Sequence, residues 1–261
     1  MRAEVMTLGT PNPRQREFLA CEKKYVAFGG ARGGGKSWAV RCKAKLLALR
    51  YAGIRILLVR RSLAELEANH LAFLRQELAD VAEYRAGERQ FRFCNGSVLQ
   101  FGYCGCDRDL DRYQGAEYDV IFLDEATQLK EQWMRQIAAC VRGVNDFPKR
   151  IYYTCNPGGP GHGYIKRLFI DRRFEDGEQP EDYAFIPARV TDNAALLARQ
   201  PDYLKTLEAL PYKLRRAWLE GRWDVFAGQV FQEFTDDPNH YDDRRWTHVI
   251  RPFDVPREWN I

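Results

Sequence analysis

The octapeptide Gly30–Ser37, GARGGGKS, constrains this chain more than any other feature, because it matches the pattern G-x-x-x-x-G-K-[ST] in full. It follows a short strand-like segment, Tyr25–Phe28, and precedes a segment without helix breakers, Trp38–Arg50. Glycines allow consecutive backbone N–H groups to turn toward one anion, and the positive end of the following helix dipole points at the same anion. The octapeptide therefore predicts a loop that binds nucleotide phosphates.

Every residue of this loop is a candidate for nucleotide binding: Gly30, Ala31, Arg32, Gly33, Gly34, Gly35, Lys36 and Ser37. The Lys36 ammonium suits the β- and γ-phosphates, and the Ser37 hydroxyl suits Mg²⁺. Arg32 brings a guanidinium into the loop, where the field of a bound nucleotide reaches it. These residues predict ATP and Mg²⁺ as ligands, and Lys36 and Arg32 are also candidate catalytic residues.

A second motif follows the apolar segment Val120–Leu123, which ends in Asp124 and Glu125. Successive residues of a strand point to opposite faces, so the two carboxylates are expected to have different roles. Asp124 suits the coordination shell of Mg²⁺, and Glu125 suits orienting and deprotonating an attacking water. The adjacent glutamate favours an ATP hydrolase that acts on a polymer over a small-molecule kinase, which needs no activated water.

Strand-like and helix-like segments alternate along the chain. The runs Ile54–Val59 and Tyr118–Leu123, each apolar except for one charged residue, are typical of strands buried on both faces. The alternation on either side of Asn95-Gly96 predicts a hairpin, and Ile151–Thr154 predicts another strand. Together they predict an α/β fold with a mainly parallel sheet flanked by helices.

Composition sets limits on domains and partners. The chain is 45% hydrophobic and 29% charged, which is typical of a globular protein, and no apolar run approaches the roughly 20 residues of a membrane span. Residues 1–60 carry 13 Lys/Arg against 3 Asp/Glu, which suits a polyanion, although a solvated basic face is an open alternative. From residue 221 the composition turns acidic and aromatic. We therefore predict an ATPase domain over residues 1–220 and a small lid or linker over residues 221–261.

The order of these motifs resembles the ATPase domain of the large terminase subunit, the DNA-packaging motor of tailed bacteriophages. The segments that carry the resemblance are Pro11–Leu19, Gly29–Ser37, Gln114–Ala126, Thr154–Pro157 and Leu219–Trp223. It implies a P-loop NTPase fold of the ASCE (RecA-like) kind and hydrolysis of ATP coupled to translocation of double-stranded DNA. It also implies a homo-oligomeric ring on a portal protein, a small terminase subunit as partner, and a place in the host cytoplasm, away from membranes and the mature virion.

The resemblance assigns further residues to the site. Gln15 matches the glutamine that reads adenine in the family. Thr154 and Asn156 match the motif that couples ATP hydrolysis to movement, although an Asn-Pro-Gly-Gly segment also suits a plain turn.

One family feature is missing at its usual position. Several members carry an arginine, thought to reach the neighbouring subunit's nucleotide, where this chain has Gln114. Arg112 is therefore the first candidate for that role, and Arg108 is the second. The alternative is that Arg112 only pairs with Asp109 or Asp111 on a loop.

The family also carries a C-terminal nuclease, for which this sequence has no counterpart, so we expect no nuclease activity from this chain.

Two other functions stay open. The first is another P-loop translocase such as a helicase, which usually needs a second RecA-like domain or extra motifs. The second is a nucleotide-gated DNA-binding scaffold with little turnover, against which Glu125 argues.

Overall fold

A computed structural model describes residues 9–225 and 241–242 of the chain. Its strands are β1 (Tyr25–Gly30), β2 (Arg55–Arg60), β3 (Ala82–Arg85), β4 (Gln90–Phe93), β5 (Val98–Tyr103), β6 (Val120–Leu123), β7 (Arg150–Cys155) and β8 (Tyr183–Ala188). Its α-helices are α1 (Pro13–Ala20), α2 (Lys36–Arg50), α3 (Leu63–Leu66), α4 (Ala72–Glu77), α5 (Glu131–Ala138), α6 (His162–Ile165), α7 (Ala194–Arg199), α8 (Asp202–Glu208) and α9 (Tyr212–Trp218). No helix among these described residues is long and apolar enough to cross a membrane.

All eight strands form one sheet in the order β3-β4-β5-β2-β6-β7-β1-β8. The six strands from β5 to β8 in this order pair in parallel, and β3 and β4 add an antiparallel edge. The predicted α/β fold with a mainly parallel sheet is confirmed. One strand, β7, lies between β1, which leads into the phosphate loop, and β6, which leads into the acidic pair. The ends of these three strands therefore meet at one edge of the sheet.

The sheet is buried on both faces, as its continuous apolar strands predict. On β6, Phe122 packs into one core cluster with Phe28 and Tyr152, while Ile121 and Leu123 pack into the cluster on the opposite face. This two-sided packing fixes the strand ends that carry the polar residues.

Several local features differ from the predictions. The helix predicted from Trp38 begins two residues earlier, at Lys36, because Gly35 adopts a left-handed N-cap conformation. The sequence pattern of Trp133–Val141 predicts a helix, but the helix ends at Ala138, and Val141 forms a bridge with Tyr118 instead. Helix α1 and strand β3 were not predicted. The segment of helical spacing after β2 contains a π-helical turn, Glu67–Leu71, between α3 and α4.

The proposed division at residue 220 stays a prediction, because most of residues 221–261 lie outside the described part of the chain.

Candidate nucleotide site

A cavity of about 660 Å³ opens at the edge of the sheet where the parallel strands end. Its walls come from the phosphate loop, the ends of β2, β6 and β7, the helical segment after β2 and the segment after β8. The lining residues are Arg32, Gly33, Gly34, Gly35, Lys36, Ser37, Trp38, Arg41, Arg60, Glu65, Asn69, Phe73, Glu125, Gln128, Asn156, Asn193, Leu196 and Tyr203. The predicted phosphate loop and Glu125 thus face one cavity.

The phosphate loop has the backbone that an anion site needs. Gly33 and Gly35 have φ of 79° and 78°, in the left-handed region that favours glycine. Gly35 is the N-cap of α2 and provides no side-chain cap, so the N–H groups of the first turn remain available to an anion. The backbone N–H groups of Ala31 and Arg32 are already engaged, because they donate to the carbonyls of Ala188 at 3.0 Å and Trp218 at 2.8 Å.

Lys36 is the first residue of α2, and its side chain is buried. Its Nζ donates to the carbonyl oxygen of Ala31 at 2.6 Å and to Oδ1 of Asn156 at 2.8 Å. An ammonium has three donors, so one remains for a phosphate oxygen. Burial lowers the pKa of Lys36, while the negative charge of Glu125 opposes that shift.

Asp124 is not among the residues that line the cavity, and its side chain is 1% exposed. Its Oδ1 accepts from the Thr154 hydroxyl at 2.5 Å, and its Oδ2 accepts from Nε2 of His70 at 2.8 Å. Nε2 carries the His70 proton in this pair, because an ionised carboxylate has only acceptors. Burial acts to raise the pKa of Asp124, but His70, Arg60 and Thr154 outweigh it and hold the pKa below its ordinary value.

Glu125 lines the cavity and has an uncommon backbone for a residue with a side chain, with φ of 53°. Its N–H donates to the Thr154 hydroxyl at 2.8 Å. Its carboxylate accepts from Nδ2 of Asn156 at 3.0 Å. Left-handed residues of this kind concentrate at functional sites, where neighbours hold them in place. Thr154 therefore holds both acidic residues, and Asn156 aligns the glutamate.

Arg32 lines the cavity as part of the phosphate loop. The Arg32 guanidinium stacks on the Trp218 ring, 3.4 Å from the ring centroid. The backbone N–H of Arg32 donates to the Trp218 carbonyl at 2.8 Å. The loop arginine therefore contacts the end of α9.

Gln15 contacts the phosphate loop at Gly35. Its Nε2 donates to the carbonyl of Gly35 at 3.0 Å, and its Oε1 accepts from the N–H of Asn12 at 2.9 Å. Gln15 is not among the residues that line the cavity. Its contact with adenine stays a prediction.

Arg112 lies outside the cavity, on a 3₁₀ segment that precedes β6. Its Nη2 lies 3.1 Å from Oδ1 of Asp109, and its guanidinium is 4.1 Å from the centroid of the Tyr103 ring. The side chain is nevertheless 46% exposed. Within one chain Arg112 is paired, as the alternative proposed, and its role toward a neighbouring subunit stays a prediction.

Comparison with known proteins gives the family. The family described as "Terminase large subunit, T4likevirus-type, N-terminal" matches residues 27–235, well over half of the chain. The chain belongs to this terminase large-subunit family. Comparison with curated protein sequences finds no match.

Solved structures of phage terminases share the fold of this family member. The large terminase of a thermophilic bacteriophage, in complex with ADP, has a TM-score of 0.66 at 15% identity over 81% of this chain and 53% of its own. The Thermus phage P74-26 large terminase ATPase domain has a TM-score of 0.58 at 14% identity over 82% of this chain and 94% of its own. The chain thus spans about half the length of the ADP-bound terminase. It also spans most of the isolated P74-26 domain. At these identities the likeness concerns the fold, and it confirms the predicted P-loop ASCE architecture.

The terminase site contains residues that the motifs did not predict, chiefly His70 and Arg60. Two sequence signals point to them. His70 lies four residues from both Leu66 and Leu74, so it is a polar residue on an apolar helical stripe. Arg60 directly follows the apolar run of β2, just as Asp124 follows that of β6.

Proposed function

We propose that this chain is an ATPase domain that hydrolyses ATP to ADP and phosphate with Mg²⁺. We further propose that, as part of a terminase large subunit, it couples hydrolysis to translocation of double-stranded DNA into a procapsid. A buried hydrogen-bonded link between Lys36, Asn156 and Glu125 supports this function most directly. Asn156 joins the cation that binds phosphate to the carboxylate that faces it. If a bound phosphate draws Lys36 away from Asn156, the hydrogen bond from Asn156 to the Glu125 carboxylate would therefore change as well.

The hydrolytic step uses the groups that line the cavity. The water oxygen attacks the γ-phosphorus, and Glu125 accepts a proton from that water. The bond between the γ-phosphorus and the bridging oxygen breaks, and its electron pair leaves with ADP. Lys36 and Arg32 offset the charge on the phosphate oxygens.

The residues present fit Mg²⁺. Ser37 lines the cavity, and His70, Arg60 and Thr154 hold the pKa of Asp124 below its ordinary value, which favours the ionised form. The described residues contain no cluster of three or more His, Cys, Asp or Glu side chains that would hold a metal alone. This suits Mg²⁺, which takes most of its ligands from phosphate and water. We assign Ser37 and Asp124 to the ion, which would neutralise charge on the phosphates when bound.

Related proteins support the nucleotide and the motor role. Structures of the large terminase from the thermophilic bacteriophage exist in complex with ADP and with ATP-γ-S. The basic bias of residues 1–60 suits contact with a polyanion. By the same family argument we propose a ring of this chain on a portal protein, with a small terminase subunit, in the host cytoplasm. The expectation of no nuclease activity stays a prediction.

The function is tested by phosphate release with and without double-stranded DNA. We expect Lys36→Ala to abolish release, because it removes the charge on the β- and γ-phosphates. Arg50→Ala is the matched control, since it removes one positive charge from the exposed last turn of the same helix. Release by Lys36→Ala at the parent rate would rule out this site. Turnover that double-stranded DNA leaves unchanged, or that only single strands stimulate, would favour the scaffold or the helicase.

The proposed ring also requires a cation from a neighbour, and Arg112 is the candidate. Arg112→Ala mixed with Lys36→Ala should recover part of the activity that each lacks alone, because an intact Lys36 site meets an intact Arg112. Mixing with Arg108→Ala tests the second candidate. If mixed subunits assemble and no ratio restores turnover, Arg112 does not act across an interface.

A further inference from the structure

Arg60 lies at the end of β2, beside the acidic pair. Strand β2 pairs with β6 so that Val59 is level with Leu123, which brings Arg60 level with Asp124. The Arg60 side chain lines the same cavity as Lys36 and Glu125. From the phosphate loop across β7 and β6 to β2, the edge of the sheet thus carries a lysine, an acidic pair and then an arginine.

Arg60 is buried without strong partners. Its side chain is 11% exposed, and its Nη1 lies 3.4 Å from the Glu65 carbonyl and 3.6 Å from Oδ2 of Asp124. Its Nε has no hydrogen bond, although a Glu65 carboxylate oxygen lies 3.6 Å away. Its Nη2 has no partner among the described residues. A buried guanidinium with five donors needs more acceptors than these, so an anion in the cavity would complete its hydrogen bonding.

Two other arginines line the cavity, and the guanidinium of each packs on an aromatic ring. Arg41 donates to the Asn69 carbonyl at 2.7 Å, and its guanidinium lies 4.4 Å from the centroid of the Phe73 ring. Arg32 stacks on Trp218. Of these three, Arg60 is the one whose guanidinium pairs with a residue of the acidic pair, at 3.6 Å from Oδ2 of Asp124.

We propose that Arg60 binds the terminal phosphate of the ATP held by its own subunit, and so makes affinity depend on the third phosphate. The inference rests on the function proposed above. The phosphate chain begins at the α2 N-terminus, and its γ-phosphate must approach Glu125 for water to attack. Arg60 lies on β2, the strand next to the one that leads into Glu125, so in this proposal the γ-oxygens of ATP contact it and the phosphates of ADP do not. A planar guanidinium suits such oxygens, since it donates two parallel hydrogen bonds.

The competing explanation is that Arg60 only balances the charge of Asp124. In that case its loss would change the binding of ADP and of ATP alike, or of neither. The ratio of the two affinities therefore separates the explanations.

The experiment measures dissociation constants for ADP and for a non-hydrolysable ATP analogue, both with Mg²⁺, on the full chain. We expect Arg60→Gln to weaken binding of the ATP analogue about 10-fold or more, the loss of a hydrogen bond to a charged group. Binding of ADP should stay within about 2-fold. The affinity of Arg60→Lys for the ATP analogue should lie between those of the parent and Arg60→Gln, because lysine keeps the positive charge but cannot donate two parallel hydrogen bonds. If Arg60→Gln does not fold, the affinity ratio of Arg60→Lys decides.

The matched control is Arg150→Gln. Arg150 begins β7 at the opposite edge of the sheet, and its side chain is 14% exposed against 11% for Arg60. The control should leave the affinity ratio of the parent unchanged. An unchanged ratio in both Arg60 variants, or equal weakening of both nucleotides, overturns the proposal. Failure of the parent chain to bind either nucleotide would instead overturn the proposed function.

Discussion

Strand β6 carries a buried aspartate at each end, and the two differ in what surrounds them. At the amino end, Asp119 accepts from the backbone N–H of Arg55 at 2.9 Å and lies 3.0 Å from Nζ of Lys149. At the carboxyl end, Asp124 accepts from the side chains of His70 and Thr154. Asp119 therefore binds a strand N–H and a lysine side chain, whereas Asp124 binds side chains beside the cavity.

The difference follows from the direction of the strands. Residue type, strand and burial are the same at both ends, with Asp119 2% and Asp124 1% exposed. In a parallel sheet, however, the carboxyl ends of all strands lie at one edge, and the loops that leave them converge on a ligand. A buried aspartate at this edge is expected to act in chemistry, and one at the opposite edge in stability.

The largest effect is expected at Glu125, the carboxylate that faces the cavity. Glu125→Gln should reduce turnover about 10²- to 10⁴-fold, because the amide cannot accept the proton of water. Nucleotide affinity should change little. The comparison uses Glu117→Gln, three residues before the amino end of β6, where the side chain is exposed and pairs with Arg142. Phosphate release and nucleotide binding are measured on the same samples, and loss of binding by folded Glu125→Gln would mean that Glu125 holds the metal shell instead.

A direct exchange tests the two aspartates themselves. Asp124→Asn should lower turnover by roughly 100-fold and raise the Mg²⁺ concentration for half-maximal rate, because it removes a charge from the ion's surroundings. Asp119→Asn should lower the free energy of unfolding by about 1–3 kcal/mol, since a buried charged hydrogen bond is lost. Its turnover per folded molecule should stay near the parent value. Denaturant titration and phosphate release measure the two effects. If both variants lost turnover and stability to the same extent, the two aspartates would not have different roles.

The sequence predicts the buried central strands of the sheet better than its edge strand. The runs Ile54–Val59 and Tyr118–Leu123 predict buried strands, since two-sided burial requires continuous apolar residues. The edge strand β3 was missed, because AEYR carries little apolar signal and depends on pairing with β4. Edge strands depend on their neighbours more than on their own residues.

Within the site, the sequence predicts what local motifs encode. Lys36 and Glu125 are fixed by their place after a strand. The partners of Asp124 are not, because His70 is 54 residues away and reaches it through a π-helical turn. Such a turn is not encoded by apolar spacing, although turns of this kind often mark functional sites. Contacts of this range follow from the order of strands in the sheet.

A smaller effect is expected at His70, which orients Asp124. His70→Leu should reduce turnover by about 10-fold and raise the Mg²⁺ requirement, because Oδ2 of Asp124 loses its donor. His70→Gln should recover much of this loss, since its amide carries an N–H on a chain of similar reach. The dependence of rate on Mg²⁺ is the deciding measurement. Equal loss in both variants, without a change in Mg²⁺ dependence, would mean that His70 only fills space.

The smallest effect concerns acid stability. The folded pKa of Asp124 lies below its ordinary value of about 3.9, so its ionised form is bound more favourably in the folded chain than in the unfolded one. That contribution is fully present above the unfolded pKa and is lost as pH falls toward the folded pKa. Without nucleotide or Mg²⁺, the free energy of unfolding of the parent should therefore fall more steeply below about pH 4 than that of Asp124→Asn. Denaturant titrations at stepped pH values measure both slopes. Equal pH dependence in the two proteins would mean that His70, Thr154 and Arg60 do not favour the ionised carboxylate of Asp124. The surroundings of Asp124 would then not differ electrostatically from those of an ordinary buried aspartate.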